Sequence, residues 1–212
     1  MRIRNAGSSA LLVCLDEPAQ VTALYRELLR NPPEGLVDAA PAAETVMVVF
    51  DPARTEASAL GLRLRAAAER ASTNADTSSE VAHQGPLISI PVIYDGPDLA
   101  DIARRTGLGV EEVVHRHTAA EYLVAFCGFA PGFGYLTGLD PALRLPRRSV
   151  PRTRVPAGSV AMSDRFTSVY PSASPGGWHL LGRTETAMWD IERQPPGLLT
   201  PGTRVRFEQV AG

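Results

Sequence analysis

The stretch YLVAFCGFAPGFGYLTGL (Tyr122–Leu139) sets two apolar runs on either side of a turn rich in glycine and proline. The same punctuation recurs downstream in SVAM (Ser159–Met162), TSVYPSASPGGWHLLGRT (Thr167–Thr184) and LLTPGTRVRFEQV (Leu198–Val210). Many short apolar runs separated by regular turn signals predict an all-β sandwich or barrel over the second half of the chain.

Working back from there, the pattern changes to an alternation of strands and helices. Ala10–Leu15 reads as a strand. Pro18–Arg30 carries Val21, Leu24, Leu28 and Leu29 at helical spacing and is stopped by Asn31-Pro32-Pro33. Leu36–Ala40 and Thr45–Phe50 read as strands, and a helix follows Asp51-Pro52 with Leu60, Leu62, Leu64 and Ala67. Ser72–Gln84 is polar and reads as a loop. Leu87–Tyr94 is a further strand, and its Pro91 demands an edge or a bulge because proline donates no ladder hydrogen bond. This order is that of a ferredoxin-like βαββαβ domain, placed at residues 1–95. A helical hairpin, Asp98–Thr106 and Val110–His117 joined by Gly107-Leu108-Gly109, opens the second domain, 96–212. The fold class is α+β.

Several function classes are excluded by composition. The hairpin resembles a DNA-binding helix-turn-helix, but its second helix begins with Glu111 and Glu112, which phosphates would repel. Nucleic acid is therefore not the expected partner. The apolar run Ala10–Leu15 is too short for a signal core and no stretch reaches membrane-span length, so the expectation is a cytoplasmic protein without membrane contact. The two cysteines, Cys14 and Cys127, read as buried thiols. All 21 basic residues are arginine. Without lysine the chain has neither a Walker-type phosphate loop nor a Schiff-base nucleophile. Charge is uneven: Pro141–Arg183 carries +6 by formal count against −8 elsewhere, which suits an anionic ligand, an acidic partner or a set of solvated loop arginines.

The candidates for chemistry cluster in the second domain. His115 and His117 lie two apart on a helix and face different sides, and no HExxH or CxxC pattern occurs, so no metal site is expected. The GFAPGFGY segment (Gly128–Tyr135) offers close backbone approach and aromatic walls, or else a barrel corner and core rings. The run PRRSVPRTRVP (Pro146–Pro156) holds arginine forks on a stiff backbone suited to carboxylate or phosphate. Ser159 lacks the GxSxG context of a nucleophile elbow. Trp178 and His179 follow a tight turn, Ser174-Pro175-Gly176-Gly177. These residues do not make a complete catalytic constellation, which points to a site shared with another chain.

Four segments together resemble one family, which takes in allophanate hydrolase subunit 1, the B-type subunit of 5-oxoprolinase and KipI-like proteins. They are HTAAEY (His117–Tyr122) leading into GFAPGFGYLTGLDP (Gly128–Pro141), PRRSVPRTRVPAGSVAM (Pro146–Met162), YPSASPGGWHLLGRT (Tyr170–Thr184) and LLTPGTRVRF (Leu198–Phe207). The resemblance implies a cyclophilin-like β-barrel after the ferredoxin-like domain. It also implies a heteromer with a subunit 2 homologue (the C-type subunit of 5-oxoprolinase). Such a heteromer hydrolyses a small cyclic or linear amide with ATP and magnesium, the nucleotide lying on this chain or its partner. No prosthetic group is implied. Some relatives instead inhibit a sensor histidine kinase. Within the matched segments, His117 becomes the acid/base candidate. Arg152, Arg154 and Arg183 become ligands for carboxylate or phosphate, and Phe133, Tyr135 and Trp178 shape a pocket. One departure stands out: SDRFTSVYP (Ser163–Pro171) replaces a family pattern close to GGQTGIYP, so Phe166 stands where a glutamine amide is usual.

Overall fold

The computed structural model describes residues 1–75 and 86–212. The chain forms two compact units, Met1–Gln84 and Gly85–Gly212.

The first unit is a four-stranded antiparallel sheet under two helices. Its strands are β1 (Arg2–Asn5), β2 (Ala10–Cys14), β3 (Leu36–Pro41) and β4 (Thr45–Phe50), in the order β1-β2-β4-β3. The helices are α1 (Pro18–Arg30) and α2 (Ala57–Ala75). Pro18 suits the first turn of α1, where its missing N–H costs nothing, and the Gln20 side chain accepts the Glu17 N–H at 3.3 Å. Alternation along β2 and β4 sends Leu11, Val13, Val46 and Val48 to one face, where Val21, Leu24, Leu28, Leu60 and Leu64 cover them. Helix α2 continues through Ala75, into the stretch expected as a polar loop; the rest of that stretch lies outside the described residues.

The sequence expectation needs one correction. Leu87–Val92 (β5) does not complete the first sheet. The edge beside β2 is filled by β1, a four-residue strand too short and polar to stand out by periodicity. Strand β5 instead runs parallel to Arg204–Gln209 (β13) in the second unit. The boundary therefore falls before Leu87 and not at 95/96. Pro91 is accommodated because β5 ends the strand order of its sheet.

The second unit begins with the expected helical hairpin, α3 (Leu99–Thr106) and α4 (Val110–Ala119). Five more strands join β5 and β13 in its main sheet: β6 (Tyr122–Cys127), β7 (Gly134–Thr137), β9 (Ser159–Ser163), β10 (Phe166–Val169) and β12 (His179–Arg183). The seven run in the order β12-β9-β10-β7-β6-β13-β5. A separate ribbon pairs β8 (Arg152–Val155) with β11 (Ser174–Gly176). The two ends of the seven-strand order meet through one antiparallel bridge. Ile93 and Arg183 exchange both backbone hydrogen bonds at 2.9 Å, making a nearly closed barrel. Closure removes the exposed edges that an open sheet would present.

Glycine is required at this seam. A Cβ on Gly182 would lie 2.2 Å from the Ile93 carbonyl oxygen, and one on Gly96 would lie 2.3 Å from that of Leu180. Both obstacles are backbone and cannot swing aside. Gly182→Ala is expected to lower stability by about 3 kcal/mol, as overpacking against fixed atoms does. Gly61→Ala, on helix α2 with open space around it, should raise stability by roughly 0.5–1 kcal/mol. Thermal unfolding of the two variants beside the parent checks both signs.

Candidate functional site

The barrel unit holds a cavity of about 260 Å³. Its aromatic wall is Phe129, Phe133, Tyr135, Phe166, Tyr170 and Trp178, and its polar lining is Arg147, Ser163 and Asp164, with Gly176 beside them. The rings brace one another edge to face. Phe133 meets Tyr135 at 5.0 Å, Tyr170 at 5.3 Å and Trp178 at 5.5 Å between centroids, and Tyr135 meets Phe166 at 5.7 Å. Such contacts add to area burial and fix ring orientation. Burial raises the phenols of Tyr135 and Tyr170, and the nearby Arg147 charge partly offsets this. Both phenols stay un-ionised at neutral pH.

Two backbone anomalies mark the same cavity. Phe129 (φ +70°) and Asp164 (φ +51°) are the non-glycine residues at positive φ among the described residues, and both line it. Asp164 has a local reason: it occupies the two-residue turn between β9 and β10, where aspartate tolerates the left-handed region. Phe129 also has a local reason: the Ala130 N–H donates to Gly128 O at 2.9 Å and closes a three-residue turn around it. Its side chain is 61% exposed, and the turn holds roughly 1–2 kcal/mol of strain.

The site residues expected from sequence separate into three groups. Phe133, Tyr135 and Trp178 come together in the cavity wall. The arginines do not. Arg152 Nη2 donates to Asp98 Oδ1 at 2.7 Å, and Arg148 Nη1 donates to the same oxygen at 2.9 Å. Arg183 pairs with Asp95 at 2.9 Å and Glu185 at 3.7 Å, and Arg154 is exposed on β8; neither lines the cavity. The guanidinium that does line it is Arg147, one position from the paired Arg148. In sequence the two neighbours are indistinguishable, and only the turn of the segment separates them. Sequence reasoning does not find Ser163, Asp164 or Tyr170 either, and it finds Phe166 only as a departure from the family pattern.

Asp98 is the anchor of the paired set. Burial alone would raise its carboxyl. Hydrogen bonds from Arg152 and the Leu180 N–H, with the charges of Arg152 and Arg148, outweigh that and hold it below the usual carboxylate range. Arg152 is thus a strut between β8 and the seam.

His117 is sealed in the core at 0% exposure and does not line the cavity. The Thr167 hydroxyl donates to Ala161 O at 3.0 Å, so its oxygen accepts from His117 Nε2–H at 2.9 Å. Nδ1 is then the acceptor for the Tyr94 hydroxyl at 2.7 Å. The ring stacks on Phe207 at 4.7 Å. Both nitrogens are satisfied in the neutral form, and burial lowers the imidazole to about 3. Cys127 is exposed at the end of β6, against expectation, but its thiol donates to Leu199 O at 3.2 Å and burial of the sulfur pushes it up to about 11. It is not a thiolate at neutral pH. Among the described residues, no three His, Cys, Asp or Glu side chains gather as a metal site, and no helix is long and apolar enough to cross a membrane.

The chain has recognisable relatives. The family described as carboxyltransferase domain, subdomain C and D, matches residues 1–199. The chain belongs to that family. It is similar to the B-type subunit of 5-oxoprolinase from Escherichia coli O157:H7, at 47% identity over 62% of this chain and 62% of the relative. The corresponding protein of Bacillus subtilis (strain 168) is 43% identical over 59% of this chain and 53% of the relative. The matches thus span little more than half of those relatives' own length. Among solved structures, TTHA0988 superposes with a TM-score of 0.76 at 39% identity, covering 100% of this chain and 40% of that one. The α+β assignment, with a barrel following the small sheet domain, agrees with that structure.

A neutral buried histidine has a measurable consequence. In the unfolded chain His117 titrates near its ordinary value of 6.5, while the folded protein keeps it neutral down to about 3. Its stabilising effect is complete above pH ~6.5 and is lost as pH falls from there towards ~3, at up to ~1.4 kcal/mol per pH unit. His117→Gln should lower stability at pH 7.5 yet flatten the acid limb between pH 6.5 and 4. Chemical denaturation of both proteins across that range checks it, and parallel limbs would contradict the assignment.

Proposed function

We propose that the chain is part of a heteromeric, ATP-dependent amide-hydrolysing enzyme of the 5-oxoprolinase type, and that the barrel cavity is its share of a site completed by a subunit 2 homologue. One observation carries the reading. Three of the segments that bear the family resemblance, far apart in sequence, meet at one cavity. Phe129, Phe133 and Tyr135 come from the first, Arg147 from the second, and Tyr170, Gly176 and Trp178 from the third. Similarity to B-type subunits of 5-oxoprolinase at more than 40% identity supports the same activity class.

Within that reading the chain holds the substrate, and its partner supplies the nucleotide and most of the reacting groups. The cavity, about 260 Å³, falls below the ~300–1,000 Å³ typical of sites for larger ligands and suits a small amide, not a nucleoside triphosphate. The chain has no lysine for a phosphate loop, and Arg152 and Arg183 are already engaged by acids. The lining phenols are un-ionised and His117 is out of reach, which leaves Asp164 as the lining group of this chain able to accept a proton; the ATP with its magnesium comes from the partner. Phe166 makes one wall apolar where the family pattern has an amide, which tunes the choice among substrates. A soluble heteromer working on a small metabolite fits a cytoplasmic setting.

Co-expression with a subunit 2 homologue, with any third component supplied, tests the proposal. ATP turnover should rise on adding 5-oxoproline or allophanate. Trp178→Ala should reduce the stimulated rate at least tenfold with the complex intact, whereas Arg154→Ala should leave it within about twofold. An intact complex that no amide stimulates, or one that instead suppresses histidine kinase autophosphorylation, would overturn it.

A further inference from the structure

We infer that the barrel cavity recognises a small ligand bearing both a carboxylate and an N–H group, with Arg147 holding the first and Asp164 the second. The inference rests on the reading of this cavity as the substrate pocket and names the chemistry that the pocket selects.

Arg147 is the cation among the cavity's lining residues and Asp164 the anion. They come from different segments and do not form an ion pair. Arg147 is paired with no acid among the described residues, while Arg148, Arg152 and Arg183 all are, at 2.9, 2.7 and 2.9 Å. What sets Arg147 apart is position: it is the guanidinium that lines the cavity, and no acid there claims its fork. Its charge is felt inside, since it opposes the rise of the Tyr135 and Tyr170 phenols. A planar fork beside aromatic rings matches a carboxylate in two parallel hydrogen bonds.

Asp164 is presented with equal definition. Its N–H donates to Leu145 O at 2.7 Å, fixing the turn, and the Ser163 hydroxyl donates to Oδ2 at 3.3 Å. Oδ1 is left as an acceptor. The remaining walls are rings, which offer contact area, with the phenol hydroxyls of Tyr135 and Tyr170 as further polar groups. The cavity volume limits the ligand to a compact molecule. A lactam acid such as 5-oxoproline has both groups, a neutral lactam lacks the carboxylate, and an N-methylated lactam acid lacks the N–H.

The test uses the full chain, alone and co-purified with its subunit 2 homologue, in a Trp189→Phe background so that Trp178 is the sole tryptophan reporter of this chain. L-5-oxoproline, N-methyl-5-oxoproline and 2-pyrrolidinone are titrated, followed by fluorescence and calorimetry. The expected order of affinity places 5-oxoproline first. Arg147→Gln should weaken both acids at least tenfold and leave 2-pyrrolidinone within twofold. Asp164→Gly, which tolerates the positive φ, should abolish the preference for 5-oxoproline over its N-methyl form. If the parent binds these lactams and both variants bind them as the parent does, the two-pole inference is overturned and the pocket reading stands. If no lactam binds the parent in either state, the pocket reading falls and takes the inference with it.

Discussion

The buried carboxylate of Asp98 is the contact on which the second unit is organised. One oxygen accepts the Leu180 N–H at 2.8 Å and so grips β12 beside the barrel seam. The other accepts Arg148 and Arg152, both on the stiff proline-bearing segment that leads into β8. A carboxylate withdrawn from water in this way is tolerable only when charges and donors surround it, and removing either side leaves an expensive unpaired charge. The seam, the β8–β11 ribbon and the arginine segment are therefore held as one body. Gly176 and Trp178 follow from that ribbon, and Arg147 sits next to a residue that cannot move. The cavity inherits its rigidity from an ion cluster that takes no part in lining it.

The rings complete the rigidity from within. Phe133 meets Tyr135, Tyr170 and Trp178, and Tyr135 stacks on Phe126 at 4.3 Å while meeting Phe166 and Trp178. A wall of mutually braced aromatics cannot collapse to fill the space they enclose, as a wall of aliphatic side chains would. That is why a small cavity persists next to a close-packed barrel core. Phe129, in contrast, stands exposed and strained at the mouth, where its ring meets Phe133 and Tyr170 only by their edges.

Much of the fold is legible in the sequence because periodicity reports packing. The helices, strands β2 and β4 and the helical hairpin all bury one face, and their apolar spacing says so. The failures are of another kind. Strand β1, with the pattern Arg-Ile-Arg-Asn, packs only the partly buried Ile3 against the core and otherwise holds its place by backbone pairing. Strand β5 reads correctly as a strand, but its partner is set by a parallel pairing with residues more than a hundred positions away. Local pattern carries no information about that. At the site, aromatic residues in glycine-rich turns are readable as a wall. Which of seven arginines faces the cavity is not: Asp98 and Asp95 claim three, and the local turn of the chain decides which of the rest points inward.

His117 shows why a motif residue need not be a reacting one. It lies in a matched segment, and histidine beside threonine and tyrosine invites an acid/base role. Yet the hydroxyls of Tyr94 and Thr167 satisfy its two nitrogens in opposite senses, one donating and one accepting. Protonation would set a donor against a donor in a sealed core. The side chain ties α4 to β10 through Thr167, the residue after Phe166 of the cavity wall. The cavity's own phenols are held in their neutral forms and its motif histidine is buried away from it. If the chain works as part of an amide-opening enzyme, Asp164 is the lining group on this chain that can take a proton, and the other transfers belong to the partner's side of the cavity.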